Sequence, residues 1–89
     1  MRIFLHRNFE KKYIKLSIGQ KRKFLERRNL FTENIYHPLL NNHALKGKYN
    51  RYRSINIAGD LRVIYKALDA HTHSFLFVDI DTHDRLYSS

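Results

Sequence analysis

Six histidines and no cysteine define the chemistry open to this chain. An imidazole titrates near a pKa of about 6.5, so a histidine can take or give a proton around neutrality. The lack of cysteine removes disulfide staples and disulfide-linked partners, thiolate zinc sites, iron–sulfur clusters and thiol nucleophiles. His71-Thr72-His73, with His83 further on, is the one grouping that raises a metal reading. A turn lies between these histidines, so no metal site and no cofactor are expected. A second constellation comes from alternation. Period two from Tyr52 onward puts Tyr52, Ser54, Asn56, Arg62, Lys66, Phe75, Phe77 and Asp79 on one face of a sheet. Cations, amides and exposed rings together offer partners for a phosphate and a stackable base.

The elements that must position these residues can be read along the chain. Met1–His6 alternates in part and predicts a first strand. Asn8 is a candidate helix cap, and Phe9, Tyr13 and Leu16 then form an apolar stripe. Ser17-Ile18-Gly19 predicts a break before a second helix from about Gln20 to Glu33, with Phe24 and Phe31 on one face. Pro38, Asn41-Asn42 and Gly47 mark Tyr36–Asn50 as a connection. Three strands follow, Tyr52–Ile57, Leu61–Ala67 and His73–Ile80, joined by turns at Ala58–Asp60 and Asp69–Thr72. On the last strand the expected inward residues are Leu76, Val78 and Ile80, and His83–Tyr87 is a tail of one helical turn. The predicted class is α+β: a small antiparallel sheet, one strand and a three-strand meander, with a helical hairpin packed on one face.

That hairpin is basic. Ten Lys and Arg stand against two Glu up to Arg28, whereas three stand against four Asp from Leu61 onward, within a formal net charge of +9. A polyanionic partner fits such a patch: RNA, DNA, a ribosome surface, an acidic protein or an anionic membrane. A solvated lysine-rich helix face is the plainer alternative. The 89 residues point to one domain spanning 1–89. No stretch is apolar for long enough to span a bilayer, and Met1–His6 is too short for a signal peptide, so a cytoplasmic protein is expected.

Two segments carry a resemblance. One runs from His37-Pro38-Leu39-Leu40 through His43-Ala44-Leu45-Lys46-Gly47-Lys48-Tyr49 into Tyr52-Arg53-Ser54-Ile55-Asn56-Ile57 and Gly59-Asp60-Leu61-Arg62-Val63-Ile64-Tyr65. The other is Asp79-Ile80-Asp81-Thr82-His83-Asp84-Arg85-Leu86-Tyr87. Together they resemble the RelE/ParE superfamily of bacterial type II toxins, and within it the YafQ-like mRNA interferases. The resemblance implies a RelE-like fold, metal-free mRNA cleavage on the ribosome, and silencing by a protein antitoxin. It implies a functional set at His43, Asp60 and His83, and phosphate contact by Arg62. Tyr87 falls at the position of a terminal aromatic. Asn56 stands where the YafQ branch has a histidine, and an amide cannot serve as a base.

In metal-free RNA cleavage the 2′-OH attacks the adjacent phosphate. A base takes its proton, an acid protonates the departing 5′-oxygen, and cations stabilise the phosphorane. His43, His83 and Asp60 are the candidate catalytic residues. Lys46, Lys48, Arg53 and Arg62 are candidate phosphate cations, with Asn56 and Tyr87 as further substrate contacts. Local readings stand beside these. Asp60 can bond its own turn or orient a histidine, Arg62 can pair with Asp79 or Asp81, and Tyr87 can pin the tail. A ParE-like gyrase inhibitor and a catalytically inactive RNA- or ribosome-binding module are the alternative functions.

Overall fold

The computed structural model describes residues 1–87. The chain runs β1 (Arg2–Leu5), α1 (Arg7–Tyr13), α2 (Ile18–Glu33), a 3-10 turn (Pro38–Leu40), β2 (His43–Ala44), a second 3-10 turn (Gly47–Tyr49), β3 (Arg53–Ala58), β4 (Leu61–Asp69), β5 (Ser74–Thr82) and α3 (His83–Tyr87). Side chains explain the helix starts. His6, rather than Asn8, caps α1: its Nδ1 accepts the Asn8 N–H at 3.0 Å. Ser17 and Gln20 form a reciprocal capping box, so α2 begins directly after Ser17.

The sheet order is β1-β5-β4-β3-β2. β3, β4 and β5 pair antiparallel in turn, as expected, β2 pairs antiparallel with β3, and β1 pairs with β5 in parallel. The sheet is therefore mixed rather than antiparallel. Periodicity carries no strand direction, and the meander leaves the outer edge of β5 open to a distant strand. β2 is a further addition, within the segment expected as plain connection.

α1 and α2 cover one face. Phe9, Phe24 and Phe31 from the helices meet Tyr65, Phe75 and Phe77 from the sheet, with Ile55, Ile57, Leu61, Val63 and Ile80 around them. The Phe77 ring centre lies 5.9 Å from Phe9, 6.0 Å from Phe24 and 5.4 Å from Phe31. This overturns the expected phase of β5. Ile64 pairs with Asp79 but Tyr65 pairs with Phe77, so Val78 is an extra residue in β5. The bulge flips the alternation, and Phe75, Phe77 and Ile80 all reach the core. Leu76 pairs with Lys66 and is only partly buried.

The opposite face holds Tyr52, Ser54, Asn56, Arg62, Lys66, Asp79 and Asp81. Its two carboxylates are already engaged. Lys12 of α1 reaches Asp79 at 3.0 Å and Asp81 at 3.2 Å. Burial opposes the charge on Lys12, but bonding and attraction to the two aspartates outweigh it and raise its pKa above the ordinary lysine value.

Two substitutions test the bulge. Phe77→Ala removes a fully buried ring and should destabilise by about 3–5 kcal/mol in urea unfolding. Leu76→Ala should cost about 1 kcal/mol or less. A larger loss at Leu76 than at Phe77 would restore the unbulged phase.

Candidate active site

Arg62 is the centre of the uncovered face. It is the second residue of β4, opposite Asn56, and it is only 7% exposed. Its Nε donates to Ser54 Oγ at 2.6 Å, and its Nη2 donates to the Asn41 carbonyl at 3.1 Å. Among the described residues it forms no ion pair, because Asp79 and Asp81 are held by Lys12. Burial lowers its pKa from the ordinary arginine value, and the neighbouring Tyr87 hydroxyl works the other way. A guanidinium withdrawn from water and given only neutral acceptors favours an incoming anion.

His43 is delivered to this point by β2, where it pairs with Ser54. Its Nδ1 lies 3.0 Å from the Asn41 carbonyl and 3.3 Å from Arg62 Nη2. A carbonyl only accepts and a guanidinium only donates. A proton on Nδ1 satisfies the shorter contact and leaves the Nε2 lone pair free at the exposed side of the ring. Asn41 presents its carbonyl from a left-handed backbone, φ 44°, at the end of the first 3-10 turn. The next residue faces the other way. Asn42 Nδ2 donates to the Ile35 carbonyl at 2.8 Å and to Tyr65 Oη at 2.6 Å, while its Oδ1 accepts from Arg53 Nε at 2.7 Å. Three bonds on the core side thus fix the strand that carries His43 on the open side.

The C-terminal helix closes the site from the other direction. The His83 N–H donates to the Asp60 carbonyl at 2.9 Å, and Leu86 is buried beneath α3. The His83 imidazole is exposed, 3.6 Å from Asp84 Oδ1, with its ring centre 4.6 Å from that of Tyr87. The Tyr87 hydroxyl is buried with no hydrogen-bond partner among the described residues. His43, Arg62, Tyr87 and His83 thus form one continuous series. Among the described residues no group of three or more metal-ligating side chains converges.

No protein-family model matches the chain, and no curated protein is significantly similar to it. Solved structures do share its path. A YoeB/ParE toxin from Agrobacterium tumefaciens superposes with a TM-score of 0.78 at 15% identity, over 93% of this chain and 99% of that one. The archaeal RelE–RelB complex from Pyrococcus horikoshii matches with a TM-score of 0.76 at 21% identity, over 94% and 96%. The E. coli DinJ–YafQ complex matches with a TM-score of 0.70 at 25% identity, over 99% and 100%. The fold is that of the RelE/ParE superfamily toxins.

Within this RelE-like fold the other candidate residues are dispersed. Arg53 lies on the helix-covered side, bonded to Asn42 and 5.5 Å from the centre of the Tyr36 ring, apart from Arg62. The Asp60 side chain is exposed and makes no hydrogen bond or ion pair among the described residues; its backbone alone holds His83. Asn56 Nδ2 donates to the Gly59 carbonyl at 2.9 Å, bracing the β3–β4 turn. Lys46 and Lys48 are exposed at the second 3-10 turn, and Lys48 Nζ is 5.2 Å from the Tyr49 ring centre. Sequence reasoning passed over Ser54, Asn41 and Asn42 as site residues. Ser54 was signalled by sharing a face with Arg62. Asn41 acts through its backbone and Asn42 through distant partners, so neither leaves a local pattern.

This geometry predicts a tautomer. Nitrogen NMR of the neutral His43 ring should show the proton on Nδ1. A proton on Nε2 would mean that Arg62, not Asn41, sets the ring.

Proposed function

We propose that this protein is the toxin of a type II toxin–antitoxin pair and acts as a ribosome-dependent endoribonuclease on mRNA in the cytoplasm. The carrying observation is the buried Arg62, without a carboxylate partner among the described residues and in contact with His43. A scissile phosphate seated on Arg62 places its 2′-OH near the exposed Nε2 of His43. His43 takes the 2′-OH proton, the 2′-oxygen attacks phosphorus, and the bond to the 5′-oxygen breaks. His83 gives its proton to that oxygen, leaving a 2′,3′-cyclic phosphate and a 5′-hydroxyl. Arg62 stabilises the charge gathering on the phosphorane, and Tyr87 stacks on a neighbouring base. The reaction needs only protein groups.

The RelE–RelB and DinJ–YafQ complexes among the similar structures support an antitoxin protein as partner. The helical hairpin supplies the ribosome contact: Lys11, Lys15, Arg22 and Lys23 are exposed for ribosomal RNA, whereas Lys12 is bound within the chain.

In a purified translation reaction, wild-type protein should cut mRNA on ribosomes, and a co-expressed antitoxin should suppress the cutting. His43→Ala, His83→Ala and Arg62→Gln should each lower the rate by about 10²- to 10⁴-fold. Cutting by all three at the wild-type rate would refute the assignment. Linearised plasmid with gyrase and intact mRNA would identify a ParE-like activity. Ribosome binding without cutting would identify an inactive module.

A further inference from the structure

Beyond Arg62, the ring series of the proposed site continues along the open face to Tyr49 and Tyr52, for which the proposed cleavage has no use. His83 meets Tyr87, Tyr87 meets Tyr49 at 6.1 Å, and Tyr49 meets Tyr52 at 6.2 Å between ring centres. Each contact is edge to face, and Tyr49, Tyr52 and Tyr87 each remain partly exposed. Cations attend the far end: Lys66 Nζ lies 5.6 Å from the Tyr52 ring centre, and Lys48 Nζ lies 5.2 Å from that of Tyr49. The row depends on an unfavourable turn. Arg51 adopts a left-handed backbone, φ 76°, and the Tyr52 N–H closes back on the Tyr49 carbonyl at 2.9 Å. A bulky residue held in that region marks a geometry imposed by its surroundings, frequently at ligand sites. Here it seats Tyr52 beside Tyr49 and under Lys66. Burial raises the Tyr49 pKa, which keeps its hydroxyl neutral beside any phosphate.

We propose that Tyr52 and Lys66 form a second nucleotide subsite, in which Tyr52 stacks on a base flanking the scissile position and Lys66 swings to its phosphate. The proposal rests on reading Arg62 as a phosphate site. Single-stranded RNA suits the row better than an acidic protein would, because successive bases present rings and phosphates in alternation. A sequence-tolerant grip of this kind lengthens the footprint on mRNA without selecting a codon.

The test is fluorescence anisotropy with 2′-O-methyl oligoribonucleotides, which bind without being cut. A dinucleotide reaches only the Arg62 end, and a hexamer reaches both ends. Tyr52→Leu should weaken hexamer binding by about tenfold and leave the dinucleotide unaffected, with circular dichroism unchanged. Lys66→Gln should flatten the log–log salt dependence by about 0.7, the value of one phosphate on a single strand. An abasic hexamer should bind wild type and Tyr52→Leu equally. Normal hexamer binding by Tyr52→Leu, with binding lost in Arg62→Gln, would overturn the subsite and leave the cleavage reading standing. Binding lost in Tyr52→Leu but kept in Arg62→Gln would overturn the phosphate reading and leave the stacking platform. No binding by wild type would remove both.

Discussion

A guanidinium buried without a carboxylate partner among the described residues is the constraint on which the site turns. Arg62 cannot shed its charge, because arginine stays protonated in proteins. Its described acceptors are the Ser54 hydroxyl and the Asn41 carbonyl, with His43 Nδ1 alongside at 3.3 Å. Such a group is costly to fold around and is stabilised by an anion. The two nearby carboxylates that could have neutralised it are tied to Lys12 on α1 instead. The basic hairpin thus has an internal role: one of its lysines keeps the acids of the sheet away from the arginine.

The aromatic core makes this division possible. The bulge at Val78 lets β5 send Phe75, Phe77 and Ile80 to the helices while Asp79 and Asp81 stay on the open face. Asn42 repeats the division on the other edge, with its side chain locked on the core side and His43 presented on the open side. Both devices rest on the side-to-side alternation of strands, and each holds a polar residue at the site by satisfying something else in the core.

Strand alternation is legible in the residues, and it places Ser54, Asn56, Arg62, Lys66 and Asp79 on one face. Helix stripes placed Phe9, Phe24 and Phe31 in the core. Phe75 and Phe77 were misplaced because Phe75-Leu76-Phe77-Val78-Asp79-Ile80 reads equally well in either phase, and a bulge chooses between phases through tertiary packing. The parallel pairing of β1 was hidden because it joins the two ends of the chain. Arg53 looked like a free cation because its partner, Asn42, lies eleven positions away. The Asp60 side chain is exposed, and among the described residues its backbone carbonyl holds His83. The resemblance marked His43 and His83 but not what orients them, since Asn41 does so through a carbonyl that every residue carries.

The division of labour between the two histidines is the most direct point of attack. An mRNA with a sulfur in place of the scissile 5′-oxygen has a leaving group that needs no proton. On that substrate, in single-turnover cleavage on ribosomes, His83→Ala should recover to near the wild-type rate and His43→Ala should remain slow. Recovery of His43→Ala, with His83→Ala still slow, would reverse the roles and contradict the Arg62–His43 geometry as the base site.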